Sequence, residues 1–279
     1  MLANSQEPMS SVLKGTLNIC VTFHYNVDRL DFLRDSISNV NELAEDVNLT
    51  VVTNAKEVES IQLIEEVLPL DLRSTKILSP DLLGHPFFLT WIHFEVFREV
   101  IDSGLPGDYF LYKEDDITFT RENVQYWNEG LTDLDGTSFF PSFVRYEQLN
   151  SHSGKFLTDI TRKSWLYGLP KIRITERKSY VNFVENYQGL YLLSREGMKL
   201  HLKSKSSHPD NGEWGIREKA TRGLSLHEVP GKFYSRNLVG VDSKTKQIDP
   251  RALIRHLPNN YLDDRSSPHA KILVEKCLY

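Results

Sequence analysis

The chain has 279 residues, 40% of them hydrophobic and 11% aromatic, which is enough to bury a substantial core. Lys and Arg number 33 against 38 Asp and Glu, a formal charge of -5, so there is no cationic excess to displace counterions from a nucleic-acid backbone. No apolar run approaches the ~20 residues that span a bilayer, the N-terminus has no charged-then-apolar signal pattern, and Cys20 and Cys277 alone provide no disulfide framework; the expectation is a cytoplasmic chain held together by packing, without nucleic acid or membrane as partner.

Residues 1–15 are polar and predict a flexible N-terminus. Leu17–Tyr25 follows as a nearly continuous apolar run, which predicts a strand buried on both faces, as in a parallel sheet. Leu30, Leu33, Ile37 and Val40 then recur at spacings that share one helical face, with Asp28 or Asn26 able to cap it. Asn48–Asn54 predicts a second strand, and the segment after it a second amphipathic helix. Alternation of this kind predicts an α/β fold with a Rossmann-like, mostly parallel central sheet, in which ligands bind beyond the carboxyl ends of the strands. His24, Tyr25, Thr53 and Asn54 fall at that edge. Pro86 opens a helix dense in bulky residues that Gly104 closes; His85 and His93 lie in this region and are taken as structural.

Tyr109–Tyr112 is a short buried strand, and Glu114, Asp115 and Asp116 stand where it leaves the sheet. Three adjacent carboxylates repel one another and are costly to strip of water. A hard divalent cation, Mn²⁺ or Mg²⁺, removes the repulsion and takes oxygen ligands. The competing reading is a solvated acidic turn. Beyond it come a helix or loop over Glu122–Leu134, an apolar strand interrupted by Pro141, and a polar stretch through Tyr180 compatible with a hairpin or an acceptor-facing loop. Gly189–Leu193 predicts another strand, with Ser194 capping a helix. There is no internal repeat or low-complexity linker, so one domain is expected.

An N-terminal βαβ unit ending in His24 and Tyr25, a strand running into Glu114-Asp115-Asp116, and a later GLYLLSRE segment together resemble the nucleotide-sugar-dependent glycosyltransferases of the GT-A fold. Glu-Asp-Asp is similar to a variant of their Asp-X-Asp motif. The resemblance covers Leu17 to Tyr261; the polar middle stretch departs from it. It implies a donor-binding half over 16–118, an acceptor-binding half over 119–262 and a C-terminal tail over 263–279. It further implies that Asp116 binds Mn²⁺ or Mg²⁺ bridging the diphosphate of a UDP- or GDP-sugar, and that Glu114 and Asp115 address ribose or metal-bound water. His24, Tyr25 and Asn54 would hold base and ribose. A late histidine often completes such a metal site, and His256 in HLPNNY is preferred to His227 because its Pro and Asn neighbours suggest a segment able to close over the donor. For transfer to a glycan or other hydroxyl acceptor, with inversion, Glu213 is the candidate general base and Asp210 its reserve; a helix-terminal acid is the structural alternative for Glu213.

Two other classes compete. Haloacid-dehalogenase-like phosphatases also place Asp-X-Asp after an apolar strand, but on the first strand, where this chain has Thr22-Phe23-His24-Tyr25. A non-catalytic nucleotide- or sugar-binding module would keep the sheet edge without needing the acids.

Overall fold

Parallel pairing of the first strands follows from their apolar runs, which bury both faces at once. The computed structural model describes residues 13–82, 84–150, 154–161, 169, 171–184, 186–222, 229 and 231–278; His227 lies outside them. In chain order, β1 (Leu13–Phe23), α1 (Leu30–Ile37), β2 (Ala44–Thr53), α2 (Val58–Glu65), β3 (Ser74–Leu78), α3 (Ile92–Asp102) and β4 (Tyr109–Glu114) form the first half. The strand order 3-2-1-4 is parallel throughout, and β1 lies between β2 and β4 with Thr22 opposite Glu114. This is the α/β class read from the sequence, with a mostly parallel central sheet flanked by helices. The first strand starts at Leu13, inside the stretch expected to be flexible, because Leu13 pairs with Ala44 across a bulge. The helix expected from Pro86 onward begins as a 3-10 turn (Pro86–Trp91) before α3.

Alternate residues of β4 face opposite layers. Phe110 and Tyr112 pack with Phe94 and Phe97 of α3, whereas Leu111 joins the core that includes Leu33 and Ile37 of α1. Beyond β4, the short β5 (Ile117–Thr118) leads to α4 (Arg121–Asp133), whose Thr120 cap and Asn123 form a reciprocal capping box. Then come β6 (Phe140–Pro141), β7 (Val144–Glu147), β8 (Phe156–Leu157), β9 (Lys171–Arg173), β10 (Lys178–Val181) and β11 (Leu190–Ser194). The hairpin reading of the polar middle stretch is realised by β9 and β10, which pair antiparallel. Strand β11 returns to the central sheet antiparallel to β4, and the Ser194 hydroxyl accepts from the Gly197 amide to start α5 (Arg195–Lys203). The remainder is α6 (Ile216–Ala220), β12 (Asn237–Asp242), β13 (Gln247–Ile248), β14 (Leu253–His256), α7 (Asn260–Asp263) and β15 (Ile272–Leu273). Two smaller sheets result, β13-β12-β10-β9 with β6 beside β12, and β15-β8-β7-β14-β5. Pairing of β14 with β5 brings the late chain beside the acidic turn, since His256 stands opposite Ile117. Among the described residues no helix is long and apolar enough to cross a membrane.

Candidate active site

The acidic stretch ends β4 and makes the turn into β5, at the carboxyl edge of the parallel sheet. Glu114, Asp115 and Asp116 are all buried. They line a cleft of about 420 Å³ with Thr22, His24, Arg29, Phe87, Arg145, Arg217, His256 and Tyr261. The protein supplies counter-charges of its own. Arg29, from the turn before α1, reaches Asp115 Oδ2 at 2.8 Å and Asp116 Oδ2 at 2.9 Å. Lys113 is completely buried and donates to the Ser36 carbonyl of α1 at 2.6 Å. Arg145 of β7 and Arg217 of α6 each come within 3.9 Å of Glu114. The Tyr187 hydroxyl donates to Glu114 Oε1 at 2.5 Å, and Gly189 accepts from the Glu114 amide at 2.9 Å. Gly189 has φ +63, and a Cβ there would lie 2.8 Å from Glu114 Oε2, so this close approach depends on glycine.

The three carboxyls differ in their affinity for protons. Burial, then the Asp116 charge, raise Glu114, against Arg217, Arg145 and the Tyr187 hydrogen bond. The same two causes push Asp115 up to about 8, against Arg29. Asp116 is held below the ordinary carboxylate range: burial opposes its charge, but the His256 hydrogen bond and charge, with Arg145 and Arg29, outweigh it. Of the three, Asp116 is the acid whose ionised form the surroundings favour. On the basic side, burial lowers Lys113 to about 7 despite Asp116 and Asp115, and burial with Arg217 and Arg29 lowers His24.

His256 ends β14 and is buried, not carried on a mobile loop as its Pro and Asn neighbours suggested. Its Nε2 lies 3.5 Å from Asp116 Oδ2 and its Nδ1 lies 2.6 Å from Glu147 Oε1. Burial opposes charge on this ring, but hydrogen bonding to the Asp116 and Glu147 carboxylates raises its pKa. Asp116 and His256, 140 positions apart, are thus brought to within 3.5 Å of each other. Asp116 Oδ1 is buried and accepts no hydrogen bond. An oxygen of that kind, on a carboxylate whose other oxygen lies 3.5 Å from an imidazole nitrogen, fits a divalent cation. Among the described residues no group of three or more such side chains is gathered around one point, so the remaining ligands would come from substrate oxygens and water.

The other sequence candidates are placed differently. His24 lines the cleft, and its Nε2 is buried without a hydrogen-bond partner. The Tyr25 amide donates to exposed Asn54 Oδ1 at 2.7 Å and the Tyr25 ring packs edge-on to Phe23; neither residue is in the cleft lining. Glu213 and Asp210 are exposed and line neither this cleft nor the cavity of about 390 Å³ beside it. That second cavity shares Arg145, Arg217 and Tyr261 with the first and adds Asp159, Tyr187, Trp214 and Glu218. Asp159 is held bidentately by Arg145 at 3.0 and 2.7 Å, whereas Glu218 lies 3.8 Å from Arg217. His85 caps the 3-10 turn and His93 stacks on Tyr112, both structural roles as read from the sequence.

Arg29, Lys113, Arg145, Glu147 and Arg217 were not singled out by sequence reasoning. Only Lys113 carried a local signal, as a lone charge inside an apolar strand.

No family model matches the chain, and no curated protein matches it. Among solved structures it is similar to a mannosyltransferase from Pyrobaculum calidifontis in complex with GDP-Man and Mn²⁺, at 12% identity and a TM-score of 0.40, over 68% of this chain and 48% of that one. The chain therefore spans about half the length of that protein.

Proposed function

We propose that the protein is a metal-dependent glycosyltransferase that moves a sugar from a nucleoside-diphosphate sugar to an acceptor hydroxyl. The observation that carries this reading is the meeting of Asp116 and His256 at the carboxyl edge of the sheet, with one Asp116 oxygen uncommitted. Asp116 and His256 would hold Mn²⁺ or Mg²⁺, which supplies Lewis-acid neutralisation of charge on the departing diphosphate. Arg29 keeps Asp115 and one oxygen of Asp116 in place. Arg217 is half-exposed in the cleft while its buried Nε lies near Glu114 and Glu218, so the exposed part of its guanidinium would meet a phosphate oxygen. His24 and Phe87, edge-on to each other and beside Arg217, also line the cleft, where a nucleotide or sugar ring would pack.

The acceptor belongs in the adjoining cavity, where Tyr187, Trp214 and Tyr261 offer ring faces, although Arg222 already lies over one face of Trp214. With Asp159 committed to Arg145, Glu218 takes the general-base role in an inverting displacement, in preference to Glu213 or Asp210. Thermal shift with UDP, GDP and CDP, with and without Mn²⁺, tests the reading. Stabilisation by one nucleotide only in the presence of metal is expected. Equal stabilisation without metal would remove the cation from the mechanism, and no response to any nucleotide would remove the transferase.

A further inference from the structure

We propose that Glu147 is a positioning residue that fixes the ring of His256 and the wall of the cleft behind it in one arrangement. Glu147 ends β7 and is completely buried. Its Oε1 faces His256 Nδ1 at 2.6 Å and accepts from the Tyr261 amide at 3.4 Å, while its Oε2 accepts from the Leu262 amide at 2.8 Å. The two amides belong to α7, whose own N-cap residue, Asn259, gives no side-chain hydrogen bond to it. Asn259 is instead in the left-handed region, φ 54, and its Oδ1 accepts from the Gln148 amide at 3.1 Å. The end of β7 thus fastens the 257–262 segment at adjacent residues, and the Leu257 amide fastens it again to the Asp116 carbonyl at 2.9 Å.

A carboxylate is the group this place requires. N–H groups arrive at both of its oxygens, and any one left buried without an acceptor would be costly. With Nδ1–H directed at Glu147, the other ring nitrogen is turned to Asp116, and a carboxylate behind an imidazole sets its tautomer and orientation for a metal ion. Tyr261 stacks on the same ring, 5.5 Å between centroids and 23° apart, and lines the cleft with Pro258 and Asn260. One buried side chain therefore sets both the ring and the wall. The role in metal binding rests on the transferase reading above; the orientation of the ring and of α7 does not.

The test uses the full chain with ¹⁵N-labelled histidine, comparing the parent with Glu147→Gln and Glu147→Ala. In the parent, at a pH where the ring is neutral, His256 should carry its proton on Nδ1, and the Leu262 amide should exchange slowly. Glu147→Ala should let the ring populate both tautomers, speed Leu262 exchange and weaken Mn²⁺ binding by about 10- to 100-fold. If that variant does not fold, Glu147→Gln decides. Glutamine has one acceptor oxygen, so either Nδ1 protonation or slow Leu262 exchange must be lost. Unchanged ring shifts and unchanged Leu262 exchange in folded Glu147→Gln would overturn the proposal. A parent that binds no Mn²⁺ would count against the transferase reading, while the ring and amide measurements would still decide on Glu147.

Discussion

Replacing Lys113 with methionine tests whether the acids are neutralised by a permanent charge or by one that comes and goes with pH. Lys113 is completely buried and its pKa falls from 10.5 to about 7, burial outweighing the pull of Asp116 and Asp115. Between those values the unfolded chain keeps the lysine proton and the folded chain gives it up, so the unfolded state binds more protons and stability rises with pH. From pH 7 to pH 9 this contributes about 2 kcal/mol, out of a total of about 5 kcal/mol set by the whole displacement. Lys113→Met removes the ionisation and preserves the bulk, at the cost of leaving the Ser36 carbonyl without its 2.6 Å donor. Urea denaturation of both proteins at pH 7, 8 and 9 measures the difference. Asp115, raised to about 8, titrates in the opposite sense and is present in both, so most of its effect cancels. The parent should gain about 2 kcal/mol on the variant across this window. Parallel curves would refute the reasoning, because Lys113 would then remain charged throughout.

Asp116→Asn should lower stability through the lost pairing with Arg29, and the folded variant should show no metal-dependent shift by a nucleoside diphosphate, since it lacks the acid whose ionised form the site favours; a parent-like response to Mn²⁺ in a nucleotide titration would move the metal elsewhere. Tyr187→Phe deletes the 2.5 Å hydrogen bond to buried Glu114 and should cost about 1.5–3 kcal/mol in urea unfolding at neutral pH; a loss under 0.5 kcal/mol would mean that Arg145 and Arg217 hold Glu114 unaided. Glu218→Gln should cut turnover by about 100-fold or more with donor affinity unchanged, whereas Glu213→Gln should leave turnover within about twofold. The reverse order in steady-state assays would return the base role to Glu213.

Strands β1, β2, β4 and β11 of the central sheet were legible in the sequence because they carry apolar runs, and Ser194 announces a helix with its hydroxyl, whereas the edge strand β3 was not, its first three residues being polar and exposed. The start of β1 was not, because Lys14 and Gly15 interrupt the run at a bulge that only the pairing with β2 specifies. Of the candidate site, Asp116 and His256 could be named but their meeting could not: it depends on β14 pairing with β5 on one side and β7 on the other. The same pairing explains why His256 ends a strand and is buried despite its Pro and Asn neighbours, since those residues follow the strand and α7 is tied back to Glu147. Arg29, Arg145 and Arg217 reach the cleft from three different elements, and Glu147 lies behind it on the same strand as Arg145. Ion pairing across elements imposes no local period, so nothing in their neighbourhoods separates them from solvated charges.

These arginines also change the reason for expecting a cation. Three adjacent carboxyls do require opposite charge, but the repulsion is met largely from within the chain, by Arg29 on Asp115 and Asp116 and by Arg145 and Arg217 near Glu114. A site that needed a metal only to relieve repulsion would have no use for one here. What remains unmet is more specific: Asp116 Oδ1, buried and without a partner, on the acid whose pKa is held down, beside an imidazole that Glu147 orients. Arg29 binds the other oxygen, so a cation at Oδ1 need not compete for the same atom. The counter-charges lower the cost of keeping Asp116 ionised in a buried place, and an ionised, partly uncommitted carboxylate is what a hard divalent cation requires.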